Sequence, residues 1–528
     1  MRATLRWSAA SGAALLAAAL CAAAAISRPA SAGGAEAAPA EAPVGAVPVR
    51  APDLVLEGVL TGADHQSYRS LPFDVPDDAA RITIQFEYGG RQDRTTVDLG
   101  LLGPDGFRGQ DGLRGWSGGN KTVLTVGAHD ATPSYQSGPI RPGRWALLLG
   151  IPNIRPQARA PYTARIWFSR ANAVYGELLP SDPPLRNGPD WYRGDLHMHD
   201  AHSDGSCDSQ SGRRVPCPLF LTAQAAAARG LDFVAVTDHN TVTQANALRE
   251  LQPYFDRLLL MPGREITTFS GHANLWGSVA PLDFRVDGAR DWNALLRDAS
   301  ALDGVVSINH PVRPSGETCM GCGWTAGEDT DLSRVQAVEV VNGGDADTPY
   351  SGIPFWEALL NRGLRLTAVG GSDNHDPKLT RATPGGAPVG APVTVVRAQA
   401  LSVPDLLEGL RTGNVFIDVP GSRDRHLELT AVSAGQRAAM GGTLRVGAGT
   451  RVEFELRVAN AAGGRVEIVG DGRPLNPDID PDLSSGEQTL RFSVQADRGR
   501  HWVRANVRGP DGGLWLIGNP IYLESDPR

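Results

Sequence analysis

The stretch from residue 189 to residue 420 alternates short apolar segments with helix-forming ones, and this alternation restricts the fold more than any other feature of the chain. Residues 218–229 form an Ala-rich segment ended by Gly230, which is typical of a helix and its C-terminal cap. Residues 231–237 are apolar nearly throughout, which predicts a buried strand. Because similar pairs recur along the stretch, we expect a parallel sheet closed into a barrel of the TIM type.

The segments on either side of this stretch follow a period of two. Ile82, Ile84 and Phe86 alternate with polar residues before it, and Val452 and Phe454 do so after it. A period of two is typical of strands with one buried face. We therefore predict an N-terminal β-sandwich of jelly-roll type and a second, smaller β-sandwich at the C-terminal end.

These changes of pattern divide the 528 residues into five predicted segments. They are a signal peptide (1–32), a flexible linker (33–50), the N-terminal β-sandwich (51–172), the barrel (173–422) and the C-terminal β-sandwich (423–528). The formal net charge is −8, and loss of the three arginines in the signal segment makes it −11. This balance argues against nonspecific binding of nucleic acid or of an anionic membrane through overall charge.

The first residues have the pattern of a Sec-type signal peptide. Arg2 and Arg6 precede an apolar run over residues 13–26, and Ala-Ser-Ala at 30–32 is a cleavage motif. An uncleaved anchor is the alternative interpretation. No later stretch is long and apolar enough to span a bilayer, so we expect a secreted or periplasmic protein without a membrane span once the signal is removed.

Four cysteines remain after the signal segment, namely Cys207, Cys217, Cys319 and Cys322. An even number of cysteines in an exported protein favours two disulfides. The pairing Cys207–Cys217 with Cys319–Cys322 requires the least movement of the chain. A zinc site with four thiolates and a redox-active Cys-x-x-Cys motif are the alternatives.

Side chains that bind metals stand at the ends of the predicted central strands. His197 and His199 are two residues apart, so on a strand both imidazoles point to the same face, and Asp373 and His375 repeat this spacing. Further candidates follow other strand ends, namely Asp204, His239, Glu265, His272 and His310. Residues at such ends converge in a barrel. Imidazole and carboxylate without thiolate suit Zn, Mn or Fe, so we predict a metal site.

Together these residues resemble the motifs of the PHP (polymerase and histidinol phosphatase) superfamily, and their order and spacing look most similar to the CehA/McbA group. The matching pieces are Asp195-Leu196-His197-Met198-His199, Ser203-Asp204-Gly205, Thr237-Asp238-His239-Asn240, Glu265, Gly271-His272, Asn309-His310-Pro311 and Gly371-Ser372-Asp373-Asn374-His375. They cover the central segment, which is under half of the chain. The resemblance implies an α/β fold with a distorted (β/α)7 TIM-like barrel. It also implies hydrolysis, usually of phosphate esters and, in the founding members, of carbamate esters.

The resemblance further implies two or three divalent metal ions (Zn, Mn or Fe) and a division of the ligands among them. One ion would bind His197, His199, Glu265 and Asp373; a second would bind Asp204, His239 and His375; a third would bind His272 and His310, with Glu265 bridging. Asp195 and Asp238 precede ligand histidines, so each either orients an imidazole or has a structural role. The insert at 206–217 leaves the shape of the site entrance, and hence the substrate, open.

We expect an exported hydrolase that uses a metal-bridging hydroxide to attack small phosphate mono- or diesters. One alternative is a carbamate or carboxylic ester hydrolase. Another is a surface-binding protein whose sandwiches contact glycan or protein while the barrel is a metal-stiffened scaffold. Arg313 either holds a substrate phosphate or forms an ordinary salt bridge. The expected partner is a small-molecule ester, and no nucleic acid.

Overall fold

The computed structural model describes residues 45–107, 112–119, 121–170, 184–286, 290–316, 319–382 and 386–525. These residues fall within one of the two units of the chain, Ala40–Arg528. The predicted signal peptide and most of the predicted linker lie outside the described residues. Within the described ranges, no helix has the length and apolar character needed to cross a membrane.

The first part of the chain forms two antiparallel sheets of four strands each. The strands are β1 (Leu54–Thr61), β2 (Ser67–Val75), β3 (Ala79–Tyr88), β4 (Thr96–Leu102), β5 (Leu113–Gly118), β6 (Val123–Gly127), β7 (Gly143–Asn153) and β8 (Arg159–Arg170). The strand orders are β1-β8-β3-β6 and β2-β7-β4-β5. Inward residues of both sheets, among them Ile84, Leu149 and Ile166, are fully buried in one shared core. The period-two pattern of this segment thus corresponds to strands with one apolar face.

The central part contains both strands and helices. Its strands are β9 (Arg186–Asp195), β10 (Ser206–Asp208), β11 (Arg214–Pro216), β12 (Phe233–Val236), β13 (Leu259–Thr268), β14 (Gly271–Trp276), β15 (Val305–Ile308), β16 (Ala337–Asn342), β17 (Thr367–Gly371), β18 (Val393–Leu401) and β19 (Val415–Asp418). Its helices are α1 (Leu219–Arg229), α2 (Gln244–Leu251), α3 (Trp292–Ser300), α4 (Ile353–Asn361) and α5 (Val403–Thr412). Short 3-10 helices span Gly62–Asp64, Arg91–Asp93 and Leu332–Arg334.

Local signals in the sequence explain where several helices begin and end. The carboxylate of Asp291 accepts the Ala294 backbone N–H at 2.8 Å and so caps the start of α3. Gly230, with φ of 75°, ends α1 in the left-handed conformation that glycine adopts without strain. These caps satisfy backbone groups that a helix end leaves without an intrahelical partner.

The last part of the chain is built of strands. They are β20 (His426–Ser433), β21 (Gln436–Ala439), β22 (Thr443–Arg445), β23 (Arg451–Ala459), β24 (Arg465–Gly470), β25 (Arg473–Leu475), β26 (Glu487–Gln495), β27 (Arg500–Arg508), β28 (Leu514–Gly518) and β29 (Ile521–Glu524). Four of them form an antiparallel sheet in the order β21-β20-β23-β26. Buried residues of this sheet, such as Phe454, share a core with Val503 and Ala505 of β27.

A mixed sheet of fifteen strands runs through the central and C-terminal parts. Its main order is β17-β16-β15-β14-β13-β12-β9-β18-β19-β28-β27-β24-β25, and β22 and β29 join beside it. The pairs β9/β12, β12/β13, β15/β16 and β16/β17 are parallel, whereas β14 is antiparallel to both of its neighbours. Because β19 pairs with β28, the sheet crosses the predicted boundary at residue 422. The five-segment division of the chain stays a prediction.

The predicted fold class, a (β/α)7 TIM-like barrel flanked by two β-sandwiches, is wrong. The chain is mostly β, with 44% of residues in strands and 12% in helices, and no TIM-like barrel is evident in the part that the structure describes. The physical reason lies at residues 259–276, where β13 turns through Phe269 and Ser270 directly into β14. A two-residue connection joins antiparallel strands and cannot hold the crossover helix that a parallel pair requires. An apolar strand has the same sequence pattern whether it pairs in parallel or antiparallel. The sequence pattern therefore did not distinguish the two kinds of pairing.

Candidate metal centre

The predicted ligands lie together at the edge of the large sheet where its parallel strands end. His197 and His199 follow β9, and Asp373 and His375 follow β17. Short parallel bridges join Met198 to Asn374 and His239 to Glu265, so these loops continue side by side beyond the strands. The remaining predicted ligands follow β12 and β15, lie in β13 and β14, or lie in the loop before β10; they are His239, His310, Glu265, His272 and Asp204.

Glu265 is the centre of this cluster. It is 1% exposed, and nitrogens of five imidazoles lie within 4 Å of its carboxylate. They are His239 Nδ1 (2.8 Å), His310 Nε2 (3.1 Å), His272 Nδ1 (3.3 Å), His197 Nε2 (3.4 Å) and His199 Nε2 (3.7 Å). Burial alone would raise the pKa of this carboxyl, but the neighbouring histidines, His197 first, hold it well below its ordinary value. Glu265 is therefore a buried anion that can serve several cation positions at once.

Two further carboxylates complete the cluster. Asp373 Oδ1 lies 3.2 Å from His199 Nε2 and 3.4 Å from His197 Nε2. Asp204 Oδ1 lies 3.3 Å from His375 Nε2. The Asp204 side chain is 59% exposed and the Asp373 side chain 9%, so the Asp204 group faces the solvent side of the site. The side chains form overlapping groups that could each hold a metal ion: Asp204, His239 and His375 with His199; His197 and His199 with Glu265; His197 and His310 with Asp373; and His272 and His310 with Cys322. The division of the ligands among individual ions stays a prediction.

Four of the six histidines among the predicted ligands have one ring nitrogen held by an acceptor and turn the other toward the carboxylates of the cluster. Four ring N–H groups are donated to acceptors on the far side of the ring: His197 Nδ1 to Glu339 Oε1 (2.9 Å), His310 Nδ1 to the Cys322 carbonyl (2.9 Å), His375 Nδ1 to the Asp373 carbonyl (2.9 Å) and His272 Nε2 to the Met320 carbonyl (3.2 Å). The buried His197 Nε2 and His272 Nδ1 have no hydrogen-bond partner among the described residues. Bare nitrogens that converge on carboxylates fit a divalent cation.

The electrostatics of the histidines differ with their neighbours. Burial lowers the pKa of His197, but the negative charges of Glu339 and the other carboxylates raise it by more. The pKa of His197 therefore lies well above its ordinary value. Burial and the adjacent His375 lower the pKa of His199 to about 3. The His199 ring stacks on the rings of His239 and His375, with centroids 4.4 Å and 4.2 Å away. The carboxylates thus favour a proton on His197, whereas His199 stays neutral between two other imidazoles.

Glu339 is a site residue that the sequence reasoning missed. It lies in the middle of β16 and is 2% exposed. Besides accepting from His197, its carboxylate accepts the His310 backbone N–H (3.0 Å) and the Asn342 Nδ2 group (2.9 Å). The available signal was a glutamate between valines in a strand whose other residues are apolar up to the final Asn342, since a buried charge requires partners.

Two of the predicted ligands have a positive φ, which is uncommon for residues other than glycine. His310 has a φ of 27° and Asp373 a φ of 51°. Hydrogen bonds hold both: Glu339 accepts from the His310 N–H, and the His197 carbonyl accepts the Asp373 N–H at 2.9 Å. Backbone strain of this kind concentrates where surrounding contacts fix a functional geometry.

The two aspartates that precede ligand histidines have structural contacts. The Asp195 carboxylate accepts backbone N–H groups of His197 (3.3 Å), Ser372 (3.0 Å) and Gly390 (2.7 Å). Asp238 Oδ1 accepts the Asp200 N–H and the Ser203 hydroxyl. Neither carboxylate has a ring nitrogen as a hydrogen-bond partner in the described part of the chain. They fix the loops that carry the ligands rather than the imidazoles themselves.

The cluster forms the floor of a cleft of about 770 Å³. Arg313 lines it, and its Nε and Nη2 donate to Asp345 Oδ2 at 3.0 and 2.9 Å. Its Nη1 lies 3.8 Å from Asp373 Oδ2. The structure thus gives Arg313 the salt bridge foreseen as one alternative, and its role toward a substrate stays a prediction.

Both predicted disulfides are present, as Cys207–Cys217 and Cys319–Cys322. The first closes the hairpin of β10 and β11 within the insert at 206–217. This hairpin lies beside the site, because the Ser206 N–H donates to the His375 carbonyl at 2.7 Å. The second disulfide closes the loop whose carbonyls hold His272 and His310.

Comparison with known proteins leaves the family open. No protein-family model and no curated protein matches the chain. Among solved structures, it is similar to a two-domain protein of Bacteroides vulgatus, described as containing a predicted PHP-like metal-dependent phosphoesterase; the identity is 18% over 63% of this chain and 96% of that one, with a TM-score of 0.35. Xylanase 10C of Cellvibrio japonicus is 9% identical over 54% of this chain and 51% of that one, with a TM-score of 0.14. TM-scores this low do not support a conclusion about fold or activity. Membership in the PHP superfamily and its CehA/McbA group stays a prediction. The candidate metal centre is supported by the arrangement of its side chains alone.

Proposed function

We propose that the chain is a metal-dependent ester hydrolase whose favoured substrates are small phosphate mono- or diesters. The observation that carries the proposal is the convergence of five imidazoles on the buried Glu265 carboxylate at the floor of an open cleft. A cluster of this composition suits two or three divalent ions of the zinc, manganese or iron type. A structural metal site would be closed, whereas this one opens to a volume large enough for a small substrate.

The residues of the site would have different roles in metal binding and in contact with the substrate. Bound divalent ions would activate a water molecule and polarise the scissile phosphoryl or carbonyl oxygen. Glu265 and Asp373 offset the positive charge at the floor, and Glu339 fixes the tautomer of His197. Asp204 and His375 stand on the solvent side, where they are accessible from the cleft. Arg313, held by Asp345, stands on the wall in reach of a substrate anion.

A carbamate or carboxylic ester is the second candidate substrate, and one observation favours it. Arg313 is the one Lys or Arg among the described residues that line the cleft. Its charge is already offset by Asp345 and approached by Asp373, which weakens its attraction for a phosphate dianion. An uncharged ester does not need a free cation, so it would fit this wall equally well.

Export is proposed together with this activity. Two disulfides are typical of an oxidising compartment outside the cytoplasm. The predicted signal peptide lies outside the described residues and remains a proposal.

A substrate panel tests the proposed function. We expect protein purified without chelator to hydrolyse an aryl phosphate monoester or phosphodiester, to lose this activity on treatment with a chelator, and to regain it with Zn²⁺ or Mn²⁺. An aryl carbamate in the same panel distinguishes the second candidate. Arg313→Met is the informative variant, because it should raise KM for the phosphate ester and leave that for the carbamate nearly unchanged. Activity that survives complete metal removal would contradict both candidates.

A further inference from the structure

The segment Cys319-Met320-Gly321-Cys322, here called the CMGC loop, forms part of the wall of the metal-binding cleft. Its two cysteines form a disulfide. Two of its backbone carbonyls point at candidate ligands: the Met320 carbonyl accepts His272 Nε2–H at 3.2 Å, and the Cys322 carbonyl accepts His310 Nδ1–H at 2.9 Å. One small loop therefore holds both histidines of the predicted third metal position.

These two hydrogen bonds decide which nitrogen each histidine presents to a metal. A carbonyl only accepts, so the nitrogen facing it carries a proton, and the opposite nitrogen is the one that a metal could bind. These opposite nitrogens, His272 Nδ1 and His310 Nε2, lie 3.3 and 3.1 Å from the same oxygen, Glu265 Oε1. Both histidines are 3% exposed, so water cannot easily replace the loop as the acceptor.

The loop has little freedom to move while its disulfide is closed. Gly321 has a φ of 77°, and a Cβ atom there would lie 2.0 Å from the Thr268 carbonyl oxygen, so the loop packs directly on the turn between β13 and β14. Just beyond the loop, the Trp324 N–H donates to the Pro311 carbonyl at 2.8 Å. The disulfide joins the two ends of the loop, Cys319 and Cys322. The carbonyl positions are thus fixed by backbone packing and by one covalent bond.

The first half of the loop reaches solvent and the second half is buried. Met320 is 55% exposed, whereas Cys322 is 4% exposed. Cys319 is partly exposed and lines the open cleft, so this end of the disulfide lies on the side of the loop that faces the cleft.

We propose that the CMGC loop is a redox-sensitive positioning element, which holds His272 and His310 in metal-binding orientation while its disulfide is closed and weakens that metal position when the disulfide is opened. The proposal rests on the metal-dependent function proposed above. A reductant of the dithiol class would open the loop: it transfers two electrons and two protons, the Cys319–Cys322 bond breaks to two thiols, and the reductant becomes a cyclic disulfide. The loop acts through the two histidines and is not itself a ligand.

Metal affinity of the full chain tests this inference, with Zn²⁺ titrated against a chromophoric chelator and total metal measured by elemental analysis. We expect the double variant Cys319→Ser/Cys322→Ser to bind one of its metal ions about 10- to 100-fold more weakly, the usual cost of losing an outer hydrogen-bond partner of a ligand. Gly321→Ala should do the same with the disulfide intact, because its methyl group would displace the loop from the Thr268 carbonyl. Wild-type protein treated with a dithiol, then freed of it without oxygen, should match the double variant.

Matched controls separate this effect from a general loss of stability. Cys207→Ser/Cys217→Ser opens the other disulfide, and Gly212→Ala places a methyl group at a glycine of similar φ, 80°, with nothing within 4 Å. Both controls should leave unchanged the metal affinity of the position formed by His272 and His310. Gly321→Ala decides the question if the double variant does not fold, and the dithiol-treated wild type decides it if neither variant folds.

The possible failures are distinct. If oxidised wild-type protein binds no metal, both the proposed function and this inference are contradicted. If wild-type protein binds its metals but opening or displacing the loop leaves every affinity unchanged, the inference alone is overturned. Tighter binding after reduction would also overturn it, because Cys322 would then act as a thiolate ligand beside His272 and His310, whose ligand atoms lie within 4.8 Å of its sulfur.

Discussion

Glu265→Gln is expected to lower both metal affinity and kcat/KM by about a thousandfold. The substitution keeps the shape of the side chain and one oxygen for Asn309 Nδ2, which now donates to Glu265 Oε1 at 2.9 Å. It removes the negative charge shared by five imidazoles and by the cations they would bind. One unit charge at 4 Å from a cation is worth about 4 kcal/mol at an effective dielectric of about 20, or roughly three factors of ten. Titration with the metal measures the affinity, and steady-state kinetics on the best substrate measures kcat/KM.

His272→Ala is the control for this prediction. His272 contacts the Glu265 carboxylate at one edge of the cluster, through Nδ1 at 3.3 Å. Its loss should empty one metal position and leave slow turnover at the rest. If Glu265→Gln kept full metal content and rate while His272→Ala abolished both, Glu265 would not be the bridging residue.

Glu339→Gln is expected to weaken metal binding by about 10- to 100-fold, although Glu339 is no predicted ligand. All groups that face its carboxylate are donors: His197 Nδ1, the His310 backbone N–H and Asn342 Nδ2. A glutamine must turn its own NH2 group toward one of them, so a buried donor loses its acceptor. His197 then loses the contact that fixes its tautomer. Metal titration of the purified variant measures the change.

Asp418→Asn is the matched control, since Asp418 is another fully buried acid. It pairs with Arg193 and accepts from Ser422, and neither of these is a predicted metal ligand. This variant should lower the melting temperature and keep the metal affinity of the wild type. An equal fall in metal affinity for both variants would mean that Glu339 acts only through overall stability.

The candidate site could be predicted largely because its signals are local. His197 with His199 and Asp373 with His375 follow strand ends in short motifs, and the carboxyl ends of parallel strands meet at one edge of a sheet. The partners of these residues could not be predicted in the same way. Glu339 meets His197 across 142 positions of sequence, and Arg313 meets Asp345 only because two loops fold to the same wall. Such pairs depend on tertiary packing, which no local pattern contains.

The overall architecture was predicted less well, for a similar reason. Alternation and apolar runs identified most strands and helices, including α1 ended by Gly230 and β12. They contain no information on which strands pair. The hairpin of β13 and β14 and the pairing of β19 with β28 turned an expected barrel into a mixed sheet that continues into the C-terminal part. The hairpin also brings His272 to within reach of Glu265, so the feature that contradicts the predicted fold helps to build the site.

Anomalous diffraction from crystals grown with Mn²⁺ or Zn²⁺ tests the central claim most directly. Data collected on either side of the absorption edge of the added metal locate each ion without reference to activity. The account predicts two or three anomalous peaks at the floor of the cleft, each about 2.0–2.3 Å from a histidine nitrogen. At least one of these peaks should lie next to the Glu265 carboxylate. Peaks found only elsewhere, such as at the separate Asp200, His202 and Asp238 group, or no peak in the cleft at saturating metal, would contradict it.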